Sequence, residues 1–215
     1  MDRKEGITGM RIEKFVTGPI GTNTYIVSND ETKEAFVVDM GDCPSELVGH
    51  IKKSGYEVKA LLLTHGHFDH ILGVDRFAEE FSVPVYAHEE EKKLLEDAQL
   101  NSSAAYGAGY TYTKAQYVKD NEELKLAGTT VQVLYTPGHT IGGCCYYLPK
   151  EEVVFSGDTL FHTSIGRTDL PTGSTGQLVR SIREKLFVLP PKTKVYPGHM
   201  EETEIGYEEK YNPFL

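Results

Sequence analysis

The chain has 215 residues, 39% of them hydrophobic and 25% charged, with a formal net charge of −10. That length buries a substantial core as one domain or at most two small ones. The acidic balance argues against nucleic-acid backbones, which need a basic footprint, and no apolar run approaches the ~20 residues that span a bilayer.

Residues 1–11 are polar and mixed in charge, without the apolar stretch of a signal peptide. Met10 reads as an alternative start, with residues 1–9 a disordered extension and residues 10–215 a single catalytic domain. The three cysteines, Cys43, Cys144 and Cys145, are odd in number and two are adjacent. They form no disulfide framework, so a reducing cytoplasm is the expected location.

In chain order, β-rich runs at 11–16, 24–28 and 35–39 read as strands. Pro44 suits the first turn of a helix with Leu47 and Ile51 on one face, ended by Gly55. A strand at 60–64 leads into a helix expected from His70 to about Phe81, with Val74, Phe77 and Phe81 on one stripe. After a strand at 83–86, Glu89, Glu90 and Glu91 suit the positive end of a helix carrying Leu94 and Leu95. Residues 101–119 are small and polar but hold Tyr106, Tyr110, Tyr112 and Tyr117. They read either as an exposed loop or as an aromatic flap beside a site. Strands follow at 131–135, 144–148 and 153–155. Ser174 with Gln177 forms a capping box for a helix burying Leu178, Ile182 and Leu186, stopped by Pro190 and Pro191. A last strand is expected at 194–196. Alternating strands and helices predict an α/β protein with helix-covered sheets, whose number the pattern leaves open.

The chemistry concentrates where the strand at 60–64 ends, in His65-Gly66-His67-Phe68-Asp69-His70. In an extended segment His65 and His67 project to the same side. Asp69 and His70 follow where the chain turns into a helix, which suits two cations held side by side. Three further strands each end in a ligand-type residue beside a glycine: Gly138-His139, Gly157-Asp158 and Gly198-His199. One such pair is weak evidence, but three downstream of a four-ligand motif make a constellation. Imidazoles and carboxylates without thiolate suit two divalent cations, zinc first, with iron or manganese possible.

At these residues the sequence resembles the metallo-β-lactamase superfamily, and within it the glyoxalase II-like hydrolases, from Met10 to Leu215. The resemblance implies an α/β, four-layer αββα sandwich with the metals in a cleft at the sheet edge. It implies that His65, His67 and His139 bind one metal and that Asp69, His70 and His199 bind the other. Asp158 and a hydroxide would bridge them, making Asp69 and Asp158 the catalytic carboxylates. Asp39, in Asp39-Met40-Gly41, matches an early aspartate–glycine loop that orients ligands. The implied reaction is hydrolysis of a small acyl thioester such as S-lactoylglutathione, whose thiolate leaves without a protonating acid.

Arg167 matches a basic residue that contacts the glutathione moiety, although Asp169 stands where a tyrosine is expected. The Gly166-Arg167-Thr168-Asp169 stretch also resembles persulfide dioxygenases, which use a single iron, and this is the rival reading. Secreted β-lactamases fit less well, because no export signal is visible here and their second site typically has Cys where Asp158 stands. His50 and His88 read as surface residues, His162 as a packing or solvated side chain, and Cys144 and Cys145 as buried strand positions. The segment 200–215 is acidic, with Lys210 its one cation, so glutathione carboxylates gain little from it.

Overall fold

A computed structural model describes residues 9–215, and the expected extension over 1–9 lies, apart from Gly9, outside the described residues. The first sheet runs β1 (Met10–Thr17), β2 (Thr22–Asn29), β3 (Glu34–Val38), β4 (Glu57–Leu62), β5 (Val85–His88) and β6 (Gln116–Val118), in that spatial order. Its first three strands pair antiparallel and the rest parallel. Parallel neighbours need crossovers. These are α1 (Ser45–Ser54), then α2 (Phe68–Ile71) with α3 (Val74–Phe81), then a 3-10 turn (Glu89–Glu91) with α4 (Lys92–Leu95) and α5 (Ser103–Tyr106). The second sheet contains β7 (Glu123–Leu126), β8 (Thr129–Tyr135), β9 (Cys144–Leu148) and β10 (Val153–Gly157). A two-stranded ribbon, β11 (Leu160–Phe161) with β12 (Ser164–Ile165), and helix α6 (Thr175–Ser181) follow. The sheet is completed by β13 (Lys194–Pro197) and β14 (Thr203–Glu204), in the order β14-β13-β10-β9-β8-β7, before the final helix α7 (Ile205–Tyr211).

The pleat explains the layers, because alternate side chains of a strand face opposite sides. Tyr25, Val27, Phe36, Val38, Ala60 and Leu62 meet Val131, Val133, Tyr146 and Phe155 between the sheets. Their neighbours Ile26, Ala35, Val37 and Leu61 face the other way, onto Leu47 and Ile51 of α1 and Val74 and Phe77 of α3. On the far side of the second sheet, Cys145, Tyr147, Val154 and Val195 are covered by Leu178, Ile182, Leu186 and Ile205. The result is the four-layer αββα sandwich that the resemblance implies.

Several local expectations hold and others fail for tertiary reasons. Gly55 closes α1 in the left-handed region at φ 73°, a conformation glycine adopts without penalty. The helix expected over 70–81 is broken at Leu72–Gly73. A Cβ on Gly73 would lie 2.5 Å from the Asp42 carbonyl carbon and 2.6 Å from the Cys43 nitrogen, so the chain crosses that loop at its closest approach. Ser174 does start α6, but its side chain makes no capping bond, so the capping box is not formed. Residues 182–186 continue that helix as a π turn, with Phe187 N–H donating to Ile182 O at 2.9 Å. The acidic start of the third helix is instead a 3-10 turn in which Glu91 is fully buried. His88, expected at the surface, is buried and stacked on Tyr135 at 4.3 Å between ring centroids.

Candidate metal centre

The topology gathers one edge of both sheets. β3 and β4 are parallel, so their C-terminal ends, leading to Asp39 and to Thr64–His65, emerge together. β8 and β10 flank the antiparallel β9, and β10 pairs parallel with β13. The loops after β8, β10 and β13, which carry His139, Asp158 and His199, therefore leave from one edge of the second sheet. Hydrogen bonds between the sheets lock these ends. Cys144 N–H donates to Thr64 O at 2.9 Å, Tyr146 Oη to Leu63 O at 2.9 Å, and Asn23 N–H to Gly198 O at 2.7 Å.

All seven expected ligand residues converge there. His65, His67 and His139 offer nitrogens within 4.8 Å of one another, and so do the ligand atoms of Asp69, His70 and His199 and of His65, His70 and Asp158. His67 Nδ1 lies 2.9 Å from His139 Nε2, and His70 Nε2 lies 3.3 Å from His199 Nε2. Asp158 stands between the two groups: its oxygens are 3.4 Å from His70 Nε2, 3.6 Å from His139 Nε2 and 3.7 Å from His199 Nε2. Asp69 Oδ2 lies 3.1 Å from His199 Nε2.

The surrounding residues orient these groups. Asp39 accepts from Thr64 N–H at 2.8 Å, from the Thr64 hydroxyl at 2.7 Å and from His70 Nδ1–H at 2.9 Å. These bonds hold Asp39 at φ 56°, unusual for a residue with a Cβ. They also orient the His70 ring so that Nε2 faces the cluster. His139 Nδ1–H donates to the Arg167 carbonyl at 2.7 Å, which turns Nε2 inward in the same way. The Thr22 hydroxyl donates to Asp69 Oδ2 at 3.2 Å. No sequence signal marks Thr22, because its partner is brought from the far end of a crossover.

The charges suit cations. Burial and neighbouring imidazoles hold His65 well below the usual histidine range, and burial with His139 beside it pushes His67 down to about 3. His139 is lowered as well, chiefly by burial. These three are neutral donors near neutral pH. Burial works against ionised Asp158, but His70, His139 and His199 outweigh it and hold the carboxyl well below the usual range. Asp69 is lowered likewise, with His70 and His199 outweighing burial. The decisive observation is that His65 Nε2 and Asp158 Oδ1 are buried without a hydrogen-bond partner among the described residues. Buried polar atoms are nearly always satisfied, and a Lewis acid satisfies both a lone-pair nitrogen and a carboxylate oxygen. The residues fit a binuclear metal site.

The Arg167 side chain is exposed and engaged by Asp169 through two parallel bonds of 2.8 Å, from Nε and Nη2. Of the four tyrosines in 101–119, only Tyr106 is exposed. It stacks on Phe68, directly after His67, at 4.3 Å and 22°. Tyr112 is buried, and Tyr110 donates to Asp75 at 3.0 Å, so this segment is half packing and half rim. His162 pairs with Glu201 at 2.8 Å and stays out of the cluster, as expected for a packing or solvated residue.

Comparison with known proteins agrees with this geometry. The sequence profile of the metallo-beta-lactamase superfamily matches residues 17–199. A probable metallo-hydrolase of Bacillus subtilis, YqgX, is 39% identical over 96% of this chain and 98% of its own. The hydroxyacylglutathione hydrolase GloC of Haemophilus influenzae is 33% identical, covering 96% of this chain and 98% of its own. Among solved structures, BLEG-1, described as a B3 metallo-beta-lactamase, superposes with a TM-score of 0.89 at 43% identity over 95% of this chain and 99% of that one. TTHA1623 in a di-iron-bound form gives 0.84 at 36% identity over 94% and 100%. Among the described residues, no helix is long and apolar enough to cross a membrane. The profile spans most of the chain and these relatives align nearly end to end, so the chain belongs to the metallo-beta-lactamase superfamily.

Proposed function

We propose that this metallo-hydrolase is a binuclear thioester hydrolase acting on small acyl thioesters, S-lactoylglutathione among them. The observation that carries the reading is the convergence of two donor triads on Asp158, whose buried Oδ1 has no partner among the described residues. In this reading His65, His67 and His139 would hold one metal, Asp69, His70 and His199 would hold the second, and Asp158 would serve both. Bound there, two divalent cations supply an activated water at neutral pH and polarise a carbonyl oxygen. Asp39 and the Arg167 carbonyl fix the imidazole orientations. As ligands, Asp69 and Asp158 have no proton to give a leaving group, and a thiolate departs without one. The 33% identity to a hydroxyacylglutathione hydrolase supports this choice. Zinc is the proposed metal on the donor set, with iron the competitor that the di-iron relative raises. The partner is a small molecule, with neither nucleic acid nor membrane involved. The reducing cytoplasm suits a chain whose Cys43, Cys144 and Cys145 are free and buried.

Elemental analysis of gently purified protein is expected to find about two metal ions per chain, alongside hydrolysis of S-lactoylglutathione. One iron with no competence for a second metal, together with oxygen uptake on glutathione persulfide, would replace this reading with the dioxygenase one. The likeness to BLEG-1 favours a second reading, β-lactam hydrolysis at the same centre. A β-lactam turned over faster than any thioester would establish it.

Arg167 is the proposed substrate anchor, and its pairing with Asp169 makes the expected effect modest. A glutathione carboxylate must compete with Asp169 for the guanidinium, and exposed ion pairs are weak. Arg167→Ala should raise KM for S-lactoylglutathione about threefold and leave kcat nearly unchanged. Asp169→Asn should lower KM, because it frees the guanidinium. Preference over shorter acyl thioesters should be slight. Strong selectivity for the intact tripeptide, with KM untouched by Arg167→Ala, would refute the anchor.

A further inference from the structure

Glu91 is a carboxylate in an unusual place. It ends the 3-10 turn after β5, is 1% exposed, and its oxygens accept from backbone N–H groups rather than from Lys or Arg. Oε1 takes the Gly66 N–H at 2.8 Å and Oε2 takes the Gly142 N–H at 2.7 Å. Gly66 sits between His65 and His67, and Gly142 lies three residues beyond His139. One side chain thus ties together the two loops that carry all three members of the His65–His67–His139 triad. The same loops press on the surrounding turn. A Cβ on Gly142 would collide with the Glu91 backbone nitrogen, and one on Gly66 would lie 2.9 Å from Leu94 Cδ2 and 3.0 Å from Leu95 Cδ2. Burial raises the Glu91 carboxyl to about 7 against the pull of these N–H groups and of the Thr140 hydroxyl. An apolar residue would fill the space without burying a carboxylate, so what the carboxylate contributes is directional.

We propose that Glu91 is a positioning residue that sets the spacing of His65, His67 and His139 by bridging Gly66 and Gly142. This rests on the reading of those histidines as one metal position of two. The Asp69–His70–His199 position is braced separately: Asp39 holds His70, Thr22 holds Asp69, and Asn23 holds the backbone before His199. Glu91 should therefore govern one position and not the other. A general loss of stability would weaken both.

The test is cobalt(II) titration of metal-free wild type and Glu91→Gln, read by visible absorption, with circular dichroism confirming the fold. The glutamine oxygen replaces one acceptor, while its NH2 opposes the other N–H. One of two binding steps should weaken by about tenfold or more, with an altered absorption band, while the other step stays as in wild type. Equal weakening of both steps, or of neither, overturns the proposal. Wild type binding fewer than two cobalt ions would instead overturn the binuclear reading itself. If Glu91→Gln does not fold, amide exchange in the wild-type protein decides. Gly66 and Gly142 N–H should exchange slowly and at matched rates, and slow together when zinc is added. Unmatched rates, as fast as those of exposed loop amides, would sink the idea.

Discussion

Asp158→Ala should cost about 10³-fold in turnover and release metal, a larger loss than His199→Ala. The reason is position. Among the described residues, Asp158 is the one carboxylate within 3.7 Å of imidazole nitrogens from both triads, His139 on one side and His70 and His199 on the other. Removing His199 strips one position of one ligand and leaves His70 and Asp69 in place. On the proposed assignment, removing Asp158 strips both positions, along with the buried negative charge that would offset two cations. Two-metal centres supply several kcal/mol of transition-state stabilisation, and about 4 kcal/mol corresponds to about 10³ in rate. Steady-state kinetics with elemental analysis of both variants gives the comparison. An Asp158→Ala enzyme that kept two metals and near wild-type turnover would show that Asp158 does not bridge.

How much of this was legible beforehand depends on how local each determinant is. The candidate ligands could be read because each sits within six residues of the end of a β-rich run, and strand ends are local features. The layers could be read as far as alternating patterns allow, and the two-sheet architecture came with the family resemblance. What escaped reading is set by contacts across the chain. The helix expected over 70–81 breaks at Gly73 because the loop at Asp42–Cys43 crosses there. His88 is buried by a Tyr135 ring from the other sheet. Glu91 reads as one of three acids at a helix start until Gly66 and Gly142 are folded onto it. Arg167 and Asp169 are two residues apart, but only coordinates show their parallel pairing. Even the glycines beside the ligands differ in kind. Gly138 and Gly157 have positive φ, 136° and 50°, as a tight turn demands, whereas Gly198 is absent from that class and owes its identity to close approach.

That difference makes Gly198→Ala a probe of the centre rather than of the backbone. A Cβ there would collide with Asp158 Oδ1 and lie 2.7 Å from His70 Cε1. The backbone cannot retreat easily, since Gly198 N–H donates to Gly157 O at 2.8 Å and its carbonyl accepts from Asn23 N–H at 2.7 Å. The Asp158 carboxylate, on rotatable bonds, must give way. Metal-free protein should remain folded, losing no more than the ~1–3 kcal/mol typical of overpacking. Metal affinity and turnover, which depend on where that carboxylate points, should each fall about 100-fold, as when a ligand's orientation is lost. Denaturation of the metal-free variant and zinc titration of the folded one separate the two effects. If the alanine variant folds and binds two zinc ions as tightly as wild type, then the position of Asp158 does not control the centre. A variant that loses most of its stability with metal affinity intact would place Gly198 among the packing residues instead. The methyl group tests one distance, from Gly198 to Asp158 Oδ1, between the loops that follow two paired strands of the second sheet.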